Sequence, residues 1–410
     1  MSDSPRRRIA LFIGRSYVPV VSVLLALLVG NWLAKSYAVD PLMAAQNQRI
    51  RFQQGGELLP AGSLSAEEAR LAEAVLDKDG TGDKQRTGLL YIGNSQSLAI
   101  MDQQPGDIIT PQWLQILLAR QTDLAARSIH VQLGSLPNIT ATESLIKLIA
   151  AGGQSPRQID MLLAATVLEE FRGLGVRDEV AAALESSTAK ADLVSLVQSN
   201  PDLTLARKAL EPFINPESKH PTAADNAASK DSVAETVEQR LQAAAEKMPL
   251  FAERQNLQMA VDLTYNAWRD RLLGITSSTA RPVPDSSYRA TLELIELALR
   301  YARSKNIEAV FYLAPMRLGV QPNPNLPSDV ARFRRDVPAL CNRYGVTCLD
   351  YVDLIPENLW TNYPDEGAIA GQRDFAHFTG AAHKKLAEQL IADLDPQLTR
   401  YAQAKKDSEP

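Results

Sequence analysis

The chain has 410 residues, enough for one large α/β domain with appendages or for two domains. With 45% hydrophobic and 22% charged residues its composition is that of an ordinary globular protein. A net charge of −5 offers no basic footprint, so nucleic acid is excluded as the expected partner.

The one dense basic cluster, Arg6, Arg7 and Arg8, stands directly ahead of the most hydrophobic stretch. Tyr17 to Ala34 reads YVPVVSVLLALLVGNWLA, 18 residues without a charge. As a helix this run would rise about 27 Å, close to the roughly 30 Å hydrocarbon core of a bilayer. Arg6, Arg7, Arg8 and Arg15 precede it and only Lys35 follows closely. The positive-inside rule therefore keeps residues 1–16 in the cytoplasm, makes 17–37 a single anchor in the lipid bilayer and exports the rest. Trp32 and Tyr37 suit the outer interface. Ser36-Tyr37-Ala38 keeps a second reading open, a cleaved signal peptide, although the apolar run exceeds the roughly 7–15 residues of a signal core.

Residues 38–86 are polar and punctuated by glycine, and read as an extracytoplasmic stalk with one short helix opening at Ser65. Apolar strands and amphipathic helices then alternate, the mark of a parallel α/β sheet. Strands are predicted at Thr87 to Ile92, Ser128 to Leu133, Gln158 to Thr166, Ala309 to Ala314 and Val346 to Val352. Helices are predicted at Pro111 to Arg120, Thr140 to Ala151, Tyr288 to Lys305 and Thr379 to Leu394. Within 186–250 this rhythm fails, and the run ESKHPTAADNAASKDS has no apolar residue larger than alanine. Such a run buries too little surface to offset its ordering entropy. The globular part is thus expected in two pieces, 87–185 and 251–396, around a helical or flexible insertion at 186–250, with a polar tail at 397–410. Cys341 and Cys348, the only cysteines, flank the turn CNRYGVTC. In an exported chain they are either a disulfide or two free thiols, and alone they do not complete a zinc set.

The first strand runs straight into Gly93-Asn94-Ser95-Gln96-Ser97. Glycine ahead of a serine at a strand's carboxyl end lets the backbone turn and present a hydroxyl at the edge where α/β sheets collect ligands. Glycine, asparagine and serine are also ordinary turn and cap residues, so a plain structural turn is the competing reading. A nucleophilic serine needs a base, and the chain has four histidines. His220 lies in the polar insertion, His130 inside an apolar strand, and His383 on the last helix among Lys384, Lys385 and Glu388, where a solvated face is the default. His377 differs, standing in Asp374-Phe375-Ala376-His377 in a predicted loop ahead of the last helix. An acid three residues before the histidine can orient one ring nitrogen and leave the other to take a serine proton. The plain alternative is that Asp374 caps backbone amides. Arg172 and Arg177 could hold an anion at the site or be solvated helix ends. Asp350, Asp353, Asp365 and Asp374 are too irregularly spaced to predict a hard-metal site, and no cofactor is expected.

Together GNSQS at Gly93 to Ser97 and DFAH at Asp374 to His377 resemble the SGNH or GDSL hydrolase family, over about Thr87 to Leu394 with the insertion between. The resemblance implies a flavodoxin-like three-layer α/β sandwich around a parallel sheet. It implies Ser95 as nucleophile, His377 as general base and Asp374 as its orienting partner. It further implies an oxyanion hole from the Ser95 amide, a glycine amide and an asparagine side chain. Gly134 matches the glycine block by position. No G-x-N-D follows the third strand, so Thr166 and Asn138 are positional candidates only. The function implied is an extracytoplasmic esterase or O-acyltransferase acting on acyl esters of cell-envelope or exported polysaccharide through an acyl-Ser95 intermediate, beside a multi-spanning membrane acyltransferase. A degenerate fold that binds or scaffolds polysaccharide without turnover is the second expectation.

Overall fold

The computed structural model describes residues 64–75, 88–100, 104, 106–121, 129–153, 159–215, 272–362 and 371–408. The run expected to be an anchor, 17–37, lies outside them, as do most of the stalk and much of the insertion. Among the described residues no helix is long and apolar enough to cross a membrane. The chain divides into two compact units, and the one built from 50–220 and 276–410 carries the elements below. Of the other, 1–49 with 221–275, only residues 272–275 are described.

Five parallel strands form the sheet: β1 (Gly88–Ile92), β2 (His130–Leu133), β3 (Ile159–Thr166), β4 (Glu308–Leu313) and β5 (Thr347–Asp350), in the order β2-β1-β3-β4-β5. All five predicted strands are present, with ends moved by a residue or two. A parallel sheet covered on both faces demands apolar side chains on both sides of its strands, which is what GLLYI and MLLAAT supply. Alternate residues serve opposite faces. Leu90, Ile92, Leu162, Ala164, Phe311 and Leu313 enter one core, and Leu89, Tyr91, Met161, Leu163, Val310 and Tyr312 the other.

The second core is closed by α1 (Ala66–Ala74), α2 (Thr110–Ala119) and α9 (Gly380–Ser408), the first by α3 (Ala141–Gly152), α7 (Asp285–Ser304) and α8 (Pro327–Arg343). The result is a three-layer α/β arrangement. Ser65 opens α1 and Thr140 opens α3, each in a reciprocal capping box with the glutamate three positions on. After β3 come a 3₁₀ turn (Leu168–Arg172), a short α4 (Asp178–Ala181), α5 (Ser187–Gln198) and α6 (Thr204–Ile214). Although α5 and α6 fall in the stretch assigned to the insertion, Leu193, Val197, Ala206 and Leu210 are buried in the first core. The last helix outruns its predicted end at Leu394. Leu390, Leu394 and Leu398 continue one apolar stripe at helical spacing, and Tyr401 packs beside it, so the packed face carries the helix through Pro396 as far as Tyr401, and the helix ends at Ser408. A small antiparallel ribbon, β6 (Trp360–Asn362) with β7 (Arg373–Phe378), stands apart from the main sheet.

Candidate active site

Ser95 stands at the carboxyl end of β1, beside β3, where the strand order reverses. Open α/β sheets bind ligands at that crevice. The turn that carries it depends on Gly93. A Cβ there would come 2.3 Å from Ser97 Oγ and 3.2 Å from the Ala165 methyl, so any larger residue would push the serine turn off the strand end. Asn94 then caps the 3₁₀ turn Ser95–Ser97, its side chain accepting from Gln96 N at 3.0 Å. Leu98 N and Ala99 N close the turn on the Ser95 carbonyl. Beneath it, Ser97 Oγ meets Tyr91 Oη at 3.1 Å, which in turn meets Tyr312 Oη at 2.5 Å. Burial pushes both phenols above their ordinary range, so this is a chain of neutral hydroxyls.

The expected loop around His377 is a strand instead. DFAH lies in β7, because Phe378 packs edge-on against Trp360 of β6, at 5.6 Å and 81°, and Thr361 Oγ1 donates to the His377 carbonyl. Asp374 is fully buried and its carboxylate does both things proposed for it. Oδ1 accepts from Ala376 N at 2.8 Å and His377 N at 3.0 Å, while Oδ2 accepts from His377 Nδ1 at 2.8 Å. A carboxylate only accepts, so Nδ1 carries a proton and Nε2 is the ring nitrogen turned away from Asp374. That atom is buried without a hydrogen-bond partner.

β7 packs against the Ser95–Ser97 turn. Ser95 is 8% exposed. Among the described residues no hydrogen bond joins Ser95 Oγ to His377 Nε2. Catalytic hydrogen bonds often are open before substrate binds. The geometry thus joins Asp374 to His377 directly and packs their strand against the turn that carries Ser95.

The oxyanion candidates fare differently. Gly134 N–H is engaged, donating to the Tyr91 carbonyl at 2.8 Å, and its missing Cβ leaves room for Leu90 and Ile92 at 3.0 and 3.2 Å. Its role is close packing at the end of β2. Asn138 is exposed and takes φ 49° in the turn that follows, a backbone duty asparagine tolerates. Thr166 is buried at the end of β3, on the same sheet edge as Ser95, where its carbonyl accepts from Ala314 N at 2.9 Å. A group without a sequence signal stands nearby. Ser135 lies between Gly134, tied to Tyr91, and Leu136, whose N–H donates to the Gly93 carbonyl, and its buried hydroxyl has no partner.

Neither arginine is a solvated helix end. Arg177 grips Glu143 through two nitrogens at 2.7 and 2.8 Å and also donates to the Pro137 carbonyl. Arg172 donates to Asn325 Oδ1 at 3.0 Å, and burial holds its pKa below the usual arginine range. His383, expected on a solvated face, is wholly buried. Thr110 N donates to Nδ1 and Nε2 reaches the Ala99 carbonyl at 3.2 Å. Asp350 and Asp353 pair with Arg334, Asp365 lies outside the described residues, and among the described residues no group of three or more ligating side chains is arranged to hold a metal. Cys341 and Cys348 are free thiols, and a hydrogen bond between them together with burial pushes Cys348 upward.

A second element without a motif supports β7. Arg317, 6% exposed in the loop after β4, donates through Nη1 to the Asp374 carbonyl at 2.9 Å and the Thr361 carbonyl at 2.6 Å. Its Nε and Nη2 hold Glu357 Oε1 at 2.9 and 2.6 Å. No protein-family model matches the chain, and no curated protein matches it significantly.

Proposed function

We propose that the protein is a membrane-anchored, extracytoplasmic SGNH-like serine esterase or O-acyltransferase acting on acyl esters of cell-envelope or exported polysaccharide. The observation that carries this is the pairing of buried Asp374 with His377, whose unpartnered Nε2 belongs to a strand packed against the Ser95 turn. The strand order 2-1-3-4-5 is that of flavodoxin-like sheets, which supports the SGNH-like reading of the fold. Membrane attachment rests on the apolar run at 17–37 and its arginines, and a multi-spanning acyltransferase is the natural donor partner for a sugar acceptor outside the cytoplasm.

In this mechanism His377 Nε2 takes the Ser95 Oγ proton as Oγ attacks the ester carbonyl. The tetrahedral oxyanion collapses, His377 returns the proton to the departing alcohol oxygen, and acyl-Ser95 remains. Water or a sugar hydroxyl then attacks, giving its proton to His377, and Ser95 leaves with that proton. Water yields deacylation and a sugar yields transfer. Asp374 holds the Nδ1 proton and stabilises the imidazolium formed at each stage.

The engaged Gly134 amide favours a second reading, a fold that binds polysaccharide without turnover. Each missing oxyanion donor costs about 10²–10³ in rate, in acylation and deacylation alike, so the proposed enzyme turns over slowly; an activated ester, whose better leaving group speeds acylation alone, lets acyl-Ser95 accumulate. The test is to incubate the purified full-length protein with an activated acetyl ester and map acetyl groups by peptide mass spectrometry. Acetyl on Ser95, absent from His377→Ala, is expected. A folded wild-type protein that gains no acetyl at Ser95, yet binds the polysaccharide, belongs to the second reading.

A further inference from the structure

We infer that the segment Pro315–Arg317 positions the two halves of the site against each other, with Gln96 and Arg317 as positioning residues. This rests on the acyl-Ser95 reading and adds to it the element that sets the distance from nucleophile to base.

Ser95 and His377 are 282 positions apart in sequence (377 minus 95) and lie on separate pieces, a 3₁₀ turn and a ribbon strand outside the main sheet. Something must register one against the other. Gln96, buried and adjacent to Ser95, donates from Nε2 to the Pro315 carbonyl at 3.0 Å. Two residues on, Arg317 donates to the Asp374 carbonyl. One short stretch therefore grips the neighbour of the nucleophile and the backbone of the residue that orients the base.

The stretch is itself fixed. Ala314 N donates to the Thr166 carbonyl and Met316 N to the Val352 carbonyl, both at 2.9 Å, which carries the β3–β4–β5 ladder one step past the strand ends. Asn323 Nδ2 holds the Arg317 carbonyl at 2.6 Å, and Glu357 neutralises the guanidinium. A planar fork with five donors can meet Glu357, Thr361 and Asp374 at once; an ammonium at the end of a lysine cannot reach all three from one point. The consequence is catalytic geometry, since a misplacement of about 1 Å costs on the order of 10²-fold in rate.

The experiment measures fluorophosphonate labelling of the full-length protein as a function of reagent concentration, which separates the limiting rate from the half-saturating concentration. Gln96→Leu and Arg317→Lys are each expected to lower the limiting rate by about 10–100-fold, leave half-saturation within about twofold, and unfold cooperatively. Arg334→Met, which breaks a different arginine–carboxylate set, is expected to label like wild type. Wild-type limiting rates in both positioning variants would overturn the inference. If Arg317→Lys does not fold, Gln96→Leu decides alone. If wild type takes no label, the acyl-Ser95 reading fails, and crystal structures of wild type and Gln96→Leu then decide the positioning claim: a widened Ser95–His377 separation supports it and an unchanged one overturns it.

Discussion

The Thr110 N–H donates to His383 Nδ1, so that ring is neutral and carries its proton on Nε2, where it donates to the Ala99 carbonyl. Because Ala99 N in turn holds the Ser95 carbonyl, His383 secures the far end of the serine turn. Burial lowers its pKa to about 3, from an ordinary value of 6.5, with a smaller contribution in the same direction from His377. Between those two values the unfolded chain binds the proton more readily than the folded one, so this residue's contribution to stability is complete above about 6.5 and declines as pH falls toward 3. Denaturant titrations across that window should show the loss, and His383→Leu should remove its own share of the slope. At neutral pH that variant should be less stable by about 2–4 kcal/mol, since it strands a buried N–H and a buried carbonyl. A variant with unchanged stability and unchanged pH slope would contradict this role.

At the scale of elements, the serine turn is held by shape and β7 by polar contacts. The turn folds onto the end of β1 only because residue 93 lacks a side chain, and its Ser97 hydroxyl sits where a Cβ would be. Gly93→Ala should therefore destabilise by about 1–3 kcal/mol through overpacking and slow Ser95 labelling by more than the stability change accounts for. Thermal unfolding and labelling kinetics on the same preparation check both parts, and wild-type values in each would show that the turn has slack. β7, in contrast, has only a three-residue partner strand, and gains its fixity from Asp374, which closes a tight turn on its own backbone, and from Arg317 behind it. These devices leave His377 Nε2 buried without a hydrogen-bond partner.

For the molecule as a whole, a parallel sheet covered on both faces prints itself as apolar runs, and the five strands were legible for that reason. So was the pairing of Asp374 with His377, since three residues is a spacing that one carboxylate can span. His383 was misjudged although its signal was present. Positions 383, 386, 387 and 390 share the buried stripe of α9, and the flanking Lys384 and Lys385 hid it. The β6–β7 ribbon is too short to show a period, so the base was expected on a loop. Gly134 matched by position, but its amide is taken by the carbonyl of Tyr91, a contact between distant parts of the chain that spacing does not encode. Arg317 belongs to no motif, and only the fold brings it to Asp374.

The central claim is that Ser95 is a nucleophile activated by His377. The most direct measurement treats the purified full-length protein with a fluorophosphonate, locates the adduct by peptide mass spectrometry and repeats this with Ser95→Ala and His377→Ala. The predicted result is a single adduct on Ser95 in wild type, none in Ser95→Ala, and labelling slowed by at least about 10²-fold in His377→Ala. Folded wild-type protein that takes no label, or an adduct that persists in Ser95→Ala, would contradict it.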